Sequence, residues 1–110
     1  MAITAIQAAT AGSVSNLVTV VKGHIAASQY PNGGIKGVHA TTSKVEYFQQ
    51  VATGGTAVTD YDIVTSRDRA DFTTKCNAKI TAGFLPIGDL CVIQMGPGRT
   101  VEYAQAFTKA

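Results

Sequence analysis

The closing stretch "VEYAQAFTKA", residues 101–110, carries Val, Glu, Tyr and Gln in the same places as "VEYFQQVATG", residues 45–54. The match extends upstream. At a shift of 55, Ile25, Ala27, Pro31 and Gly33 fall on Ile80, Ala82, Pro86 and Gly88, while Leu17, Val21 and Ile35 fall on Phe72, Cys76 and Leu90. Val45 and Val101 are 56 apart, so one residue has been inserted in a loop between, where insertions are tolerated best. A self-match over half a chain reads as two copies of one unit, and such repeats decide architecture before any other signal.

Each copy has the same grammar. An apolar opening, "AITAIQAAT" from residue 2 or "YDIVTS" from residue 61, predicts a strand. A helix follows, with Ser13 or Asp68 as N-cap; Asp71, three residues after Asp68, resembles the acid of a capping box. Leu17, Val21 and Ile25, like Phe72, Cys76 and Ile80, recur every four positions and share one helix face. The helices should stop near Ser28 and Gly83, ahead of Pro31 and Pro86. Two strands complete the unit: "GGIKGVHA" or "GDLCVIQM", then the VEYxQ strand, with Gly96-Pro97-Gly98 as turn chemistry in the second copy.

The fold class is therefore α+β. Residues 1–53 form a first β-α-β-β repeat with an N-terminal arm, 54–59 a connector centred on Gly54-Gly55, and 60–110 a second repeat. A unit of about 50 residues is marginal alone, so the copies should share one core. The expected packing is a pseudo-twofold single domain, with helices on one face of a mostly antiparallel sheet and the other face left for a partner.

Composition narrows the function classes. Hydrophobic residues make up 45% of the 110, charged residues only 15%, and the formal net charge is +2, with neither half basic. That disfavours disorder and a strong electrostatic footprint for nucleic acid or anionic lipid. The first charge is Lys22, so the N-terminus lacks the basic region of a secretion signal, and no stretch approaches the ~20 apolar residues of a membrane span. Cys76 and Cys91 form no disulfide framework or metal set and read as free thiols.

The second unit resembles a short βαββ domain-of-unknown-function family of bacteria and phages. That family runs Tyr-x-Ile/Val-Val, a helix, Gly-Trp-x-Pro-x-Gly-Gly, a strand, and a closing Tyr-x-Gln-Ala-x-x-Lys. Tyr61, Ile63 and Val64 fit its opening; Gly83, Phe84, Pro86 and Gly88 its middle; Tyr103, Gln105, Ala106 and Lys109 its close. Asp89 stands for the second glycine and Phe84 for tryptophan, and the first unit keeps Pro31-Asn32-Gly33-Gly34-Ile35 and Tyr47-x-Gln49. The resemblance implies a fold, and a phage setting, without implying a reaction.

The chemistry candidates are few. Glu46 and Glu102 are repeated acids without an accompanying nucleophile or base, which places them on a strand's outer face. His24 and His39 lack the further ligands a metal needs. Arg99, beside a glycine-rich turn, is a weak loop contact, since no helix N-terminus with lysine follows. Tyr47 and Tyr103 lack the surrounding basic residues of a base-stacking sheet. Gln49 and Gln105 share apolar strand faces with those tyrosines and must find amide partners there. Tyr47, Gln49, Tyr103 and Gln105 are the candidate seam or interface between repeats.

The expected function is a non-enzymatic, phage-type virion structural protein, a capsid decoration or other accessory component. It would be made in the host cytoplasm without cofactor or metal and bind other virion proteins or itself, with no membrane or nucleic-acid partner. The uncharged arm, residues 1–12, would suit strand addition to a neighbour. The alternative is a protein that sequesters a small ligand or nucleotide in the seam, with Arg99 as a further contact.

Overall fold

The computed structural model describes residues 2–41, 44–94 and 101–110, with the backbone alone for 39–41 and 44. Its elements are β1 (Ala5–Ala11), α1 (Val14–Ala26), β2 (Gln29–Pro31), β3 (Lys36–Thr41), β4 (Lys44–Thr53), β5 (Asp60–Ser66), α2 (Arg69–Thr81), β6 (Leu85–Gln94) and β7 (Val101–Lys109). The fold is α+β, with two sheets and antiparallel ladders throughout the described strands.

Local chemistry sets the helix ends. Ser13 accepts from the Asn16 N–H at 3.2 Å and Asp68 from the Ala70 N–H at 3.1 Å, each satisfying an orphan donor of the first turn. Asp71 does not reach back to Asp68 directly. Ser66 Oγ accepts from the Asp68 N–H and donates to Asp71, so a serine relays the box. Both helices end where the backbone turns left-handed, at Ser28 (φ 63°) and Gly83 (φ 96°). Gly83 meets that demand without strain, whereas Ser28 carries a Cβ there.

The closing strand is central in each sheet. In the first, β4 pairs with β1 on one side and with β2 and β3 on the other; in the second, β7 lies between β5 and β6. The registers run in step: Ala5↔Thr53 and Ala11↔Tyr47 in one, Asp60↔Lys109 and Ser66↔Tyr103 in the other. Two features lie beyond the sequence pattern. Gln29–Pro31 forms a short edge strand, compatible with a proline that has no N–H to donate. The arm is not free for strand addition to a neighbour, because Ala5–Ala11 is already hydrogen-bonded along β4. The Gly96-Pro97-Gly98 turn lies outside the described residues.

The two halves share a core, yet they meet through unlike faces. α1 covers the inner face of the first sheet and also packs on β5, burying Leu17 and Val21 with Ala9, Tyr47 and Val51. Tyr61, Ile63, Ile93, Ala104 and Ala106 of the second sheet enter the same core. The opposite face of the second sheet, with Val64 and Phe107, is covered by α2 through Phe72 and Cys76. So β5 and β7 of the second sheet are covered on both faces while much of β6 stays exposed, and the first sheet is covered on one. A twofold would exchange like surfaces and lay α2 on β1 as α1 lies on β5; among the described residues α1 packs on β5 and no comparable packing of α2 on β1 is formed.

The halves approach most closely at Gly34 and Gly88. Gly88 has φ +68°, and a Cβ built on it would lie 2.1 Å from the Gly34 nitrogen; at Gly33 (φ +80°) nothing stands within 4 Å. Gly88→Ala should therefore cost more than Gly33→Ala. The second substitution carries only the left-handed penalty of about 1–3 kcal/mol, and urea unfolding of both variants measures the difference.

Candidate functional site

The seam is built by β4 of the first sheet and by β5 and β7 of the second. Period two turns Tyr47, Gln49 and Val51 toward α1 and the second sheet. From the other side come Tyr61, on the first strand of its half, and Glu102, one residue before Tyr103. Tyr47 Oη donates to Glu102 Oε1 at 2.7 Å, and Tyr61 Oη donates to Gln49 Oε1 at 2.7 Å. Gln49 Nε2 donates to the carbonyls of Gly33 at 2.9 Å and Gln50 at 3.1 Å. A buried amide needs these partners, since leaving one group unpaired costs about 1–3 kcal/mol.

The structure thus brings together Tyr47, Gln49 and Glu102, and leaves their counterparts apart. Gln105 lies on the α2 face of the second sheet. Its Nε2 donates to the carbonyls of Ile87 at 3.0 Å and Ala106 at 3.1 Å, as Gln49 does in its own half. Tyr103 packs on Phe72, ring centroids 5.8 Å apart. Glu46 is exposed on the outer face of the first sheet, as its alternation with Tyr47 predicts; Glu102, expected on an outer face too, instead faces the first half, because that side of the second sheet packs on the seam. Arg99 lies outside the described residues.

Tyr61 is the seam residue that pairwise matching misses, because its counterpart in the first half is Ile6. A trace of it exists in the closing strands: Ala104 and Ala106 stand where the first half has Phe48 and Gln50. Such small residues suit a strand packed on both sides, and Ala104–Thr108 is buried without a break.

The electrostatics of the seam hold its two phenols in the protonated form. Burial, then the hydrogen bond to Glu102 and that carboxylate's charge, push the Tyr47 phenol above the usual tyrosine range. Burial, aided by the charge of Asp62, does the same to Tyr61. A phenol held in its protonated form donates hydrogen bonds and is a poor base at neutral pH. At the margin, the Tyr61 N–H on its carboxylate, followed by Lys22, lowers the pKa of Asp60. Lys79 pairs with Asp62 and lies over the Phe84 ring, 4.9 Å from its centre.

Other candidates resolve into structure. His24 Nδ1 lies 2.7 Å from Gln29 Oε1, tying α1 to β2, and the side chain of His39 is outside the described set. Cys76 and Cys91 are free thiols whose pKa burial raises. Among the described residues no group of three or more His, Cys, Asp or Glu could hold a metal, and every buried side-chain polar atom has a partner. No described helix is long and apolar enough to cross a membrane. Comparison with family models, curated proteins and solved structures finds no match to this chain.

The tyrosines set an alkaline limit. In the unfolded chain their phenols ionise near pH 10, whereas the fold holds the protons of Tyr47 and Tyr61 to higher pH. The unfolded state then binds fewer protons, so stability falls as pH rises past about 10. Tyr61→Phe should flatten that fall and, at neutral pH, cost about 1–3 kcal/mol by leaving Gln49 Oε1 without its donor. Denaturant unfolding at pH 7 and pH 10.5 (about one half-unit past the phenol midpoint) reads both effects.

Proposed function

We propose that this chain is a non-enzymatic, phage-type virion structural protein, a capsid decoration or other accessory component, built from two tandem β-α-β-β repeats. It acts through protein–protein interfaces. The observation that carries the reading is the outer face of the first sheet. There Ile6 and Val38 are exposed beside Phe48 and Gln50, on a sheet whose other face is fully packed. An open apolar sheet face on a small domain marks an interaction surface more often than a reaction site.

Two further points support it. The polar groups of the seam are spent on each other, and its tyrosines are held protonated and buried, which suits scaffolding better than catalysis. The repeat reading rests on matched registers and matched helix caps 55 residues apart, and on two glutamines that tie the closing strand to matching carbonyls in each half. The phage setting comes from the resemblance of the second unit to the βαββ family of bacteria and phages.

The experiment is mass spectrometry of purified particles from the virus that encodes the chain. The protein should be present at many copies per particle. Its absence from particles, with synthesis early in infection, would overturn the virion reading.

A further inference from the structure

Each half retains, unused, the partner of what the seam uses. Internally Tyr47 donates to Glu102; Tyr103 and Glu46 stand at the same places in the opposite halves and do not meet. Cross-strand pairing fixes the correspondence, since Val38 lies opposite Glu46 as Ile93 lies opposite Glu102, and Gly37 opposite Tyr47 as Val92 opposite Tyr103. Exposure follows it. Ile93 is 3% exposed and Val38 49%; Ile35 is 0% and its counterpart Leu90 49%; Tyr61 is 0% and its counterpart Ile6 63%. What the second sheet buries on the first sheet's inner face, the first sheet leaves bare on its outer face. What the first sheet's inner face buries, the α2 face of the second leaves bare.

We infer that a second copy of this chain docks its α2 face onto the outer face of the first sheet, repeating the internal seam between molecules, with Tyr103 of one copy donating to Glu46 of the next. The inference rests on the structural reading above and names the partner of that surface. The outer face holds a shallow depression of about 600 Å³, lined by Ile6, Ala8, Phe48 and Gln50 among others. α1 packs on β5 at the equivalent place in the second sheet, so α2 of the incoming copy has a matching bed along β1. A neutral phenol brought to a carboxylate is donor against acceptor, the pairing the internal seam already makes.

Several differences weaken the copy relative to the original. Ile6, in the place of Tyr61, has no hydroxyl to offer Gln105, and Lys36, Phe48 and Gln50 stand in the places of Cys91, Ala104 and Ala106. α2 has Arg69 and Thr73 where α1 has Val14 and Val18, and both valines pack on the core. Asp89 stands in the place of Gly34, where a Cβ would lie 3.1 Å from facing backbone atoms. The contact between molecules is therefore weaker than the one within the chain. Because the joined surfaces differ, the contact is heterologous. Each bound pair keeps one free face of each kind, and growth continues until a ring closes or a filament forms.

The test is sedimentation velocity of the full chain over a wide concentration range, with two variants at half-exposed positions. Val38→Lys blocks the outer face and Val92→Lys the α2 face; circular dichroism and thermal unfolding check that both remain folded. Wild type should grow beyond a dimer as concentration rises, and each variant alone should stay monomeric. An equimolar mixture should form a heterodimer and nothing larger, because each variant retains the face the other has lost. Tyr103→Phe should weaken wild-type growth roughly tenfold, the effect of losing one hydrogen bond to a charged group. A monomeric wild type, a closed dimer, or a mixture that fails to associate overturns the inference. Any of these with the protein still abundant in particles leaves the virion reading standing. Head-to-tail growth with absence from particles overturns the virion reading alone.

Discussion

The fold depends on one sealed amide. Gln49 sits where the two sheets and the loop after β2 converge, with no exposure to water, and its oxygen and nitrogen need partners from separate parts of the chain. Gly33 supplies a carbonyl from its own half and Tyr61 supplies a hydroxyl from the other. Shifting the pairing of β4 or β5 by one residue within its sheet would turn the amide or the phenol to the opposite face, because side-chain direction alternates along a strand. Dispersion and apolar burial hold the halves together without choosing a register. This hydrogen-bonded contact chooses it, and the close glycine passage at Gly34 and Gly88 fits only the same alignment.

Much of the local structure was legible because local chemistry writes it. Ser13 and Asp68 cap the helices as their positions predict, and the chain turns at Ser28 and Gly83 ahead of the prolines. Alternation placed Tyr47 and Glu46 on opposite faces of β4, and the two glutamines do find amide partners, Gln49 at Gly33 after β2 and Gln105 at Ile87 in β6. The way the halves join was not legible. Matching residues suggests equal surfaces and hence a twofold, whereas packing is decided by residues that break the match: Tyr61 against Ile6, Ala104 against Phe48, Ile93 against Val38. Of the candidate seam, Tyr47 and Gln49 face the other half, where they meet Glu102 and Tyr61, and Tyr103 and Gln105 lie on the other side of their sheet beneath α2. A pattern of identities cannot report this, because the information lies in differences of size and polarity between equivalent positions.

Unlike faces also account for the uneven helices. α1 has two sheets to serve and is apolar around much of its circumference, from Val14 and Val18 to Leu17, Val21 and Ile25. α2 serves one sheet and buries Phe72 with Cys76, while its remaining surface carries Arg69, Lys75 and Asn77. The difference between the two helices thus follows from position in the stack: the inner helix is a core element and the outer one a cover.

The connector after β4 turns through Gly54 and Gly55, both left-handed, and reaches β5 at Asp60. A tether this short makes the meeting of the two sheets unimolecular, with an effective concentration on the order of millimolar. Under that regime the apolar core shared by the two halves closes without the entropy cost of bringing two molecules together. Connectivity and apolar burial supply the strength of closure, and the tyrosines, glutamine and carboxylate of the seam supply its alignment.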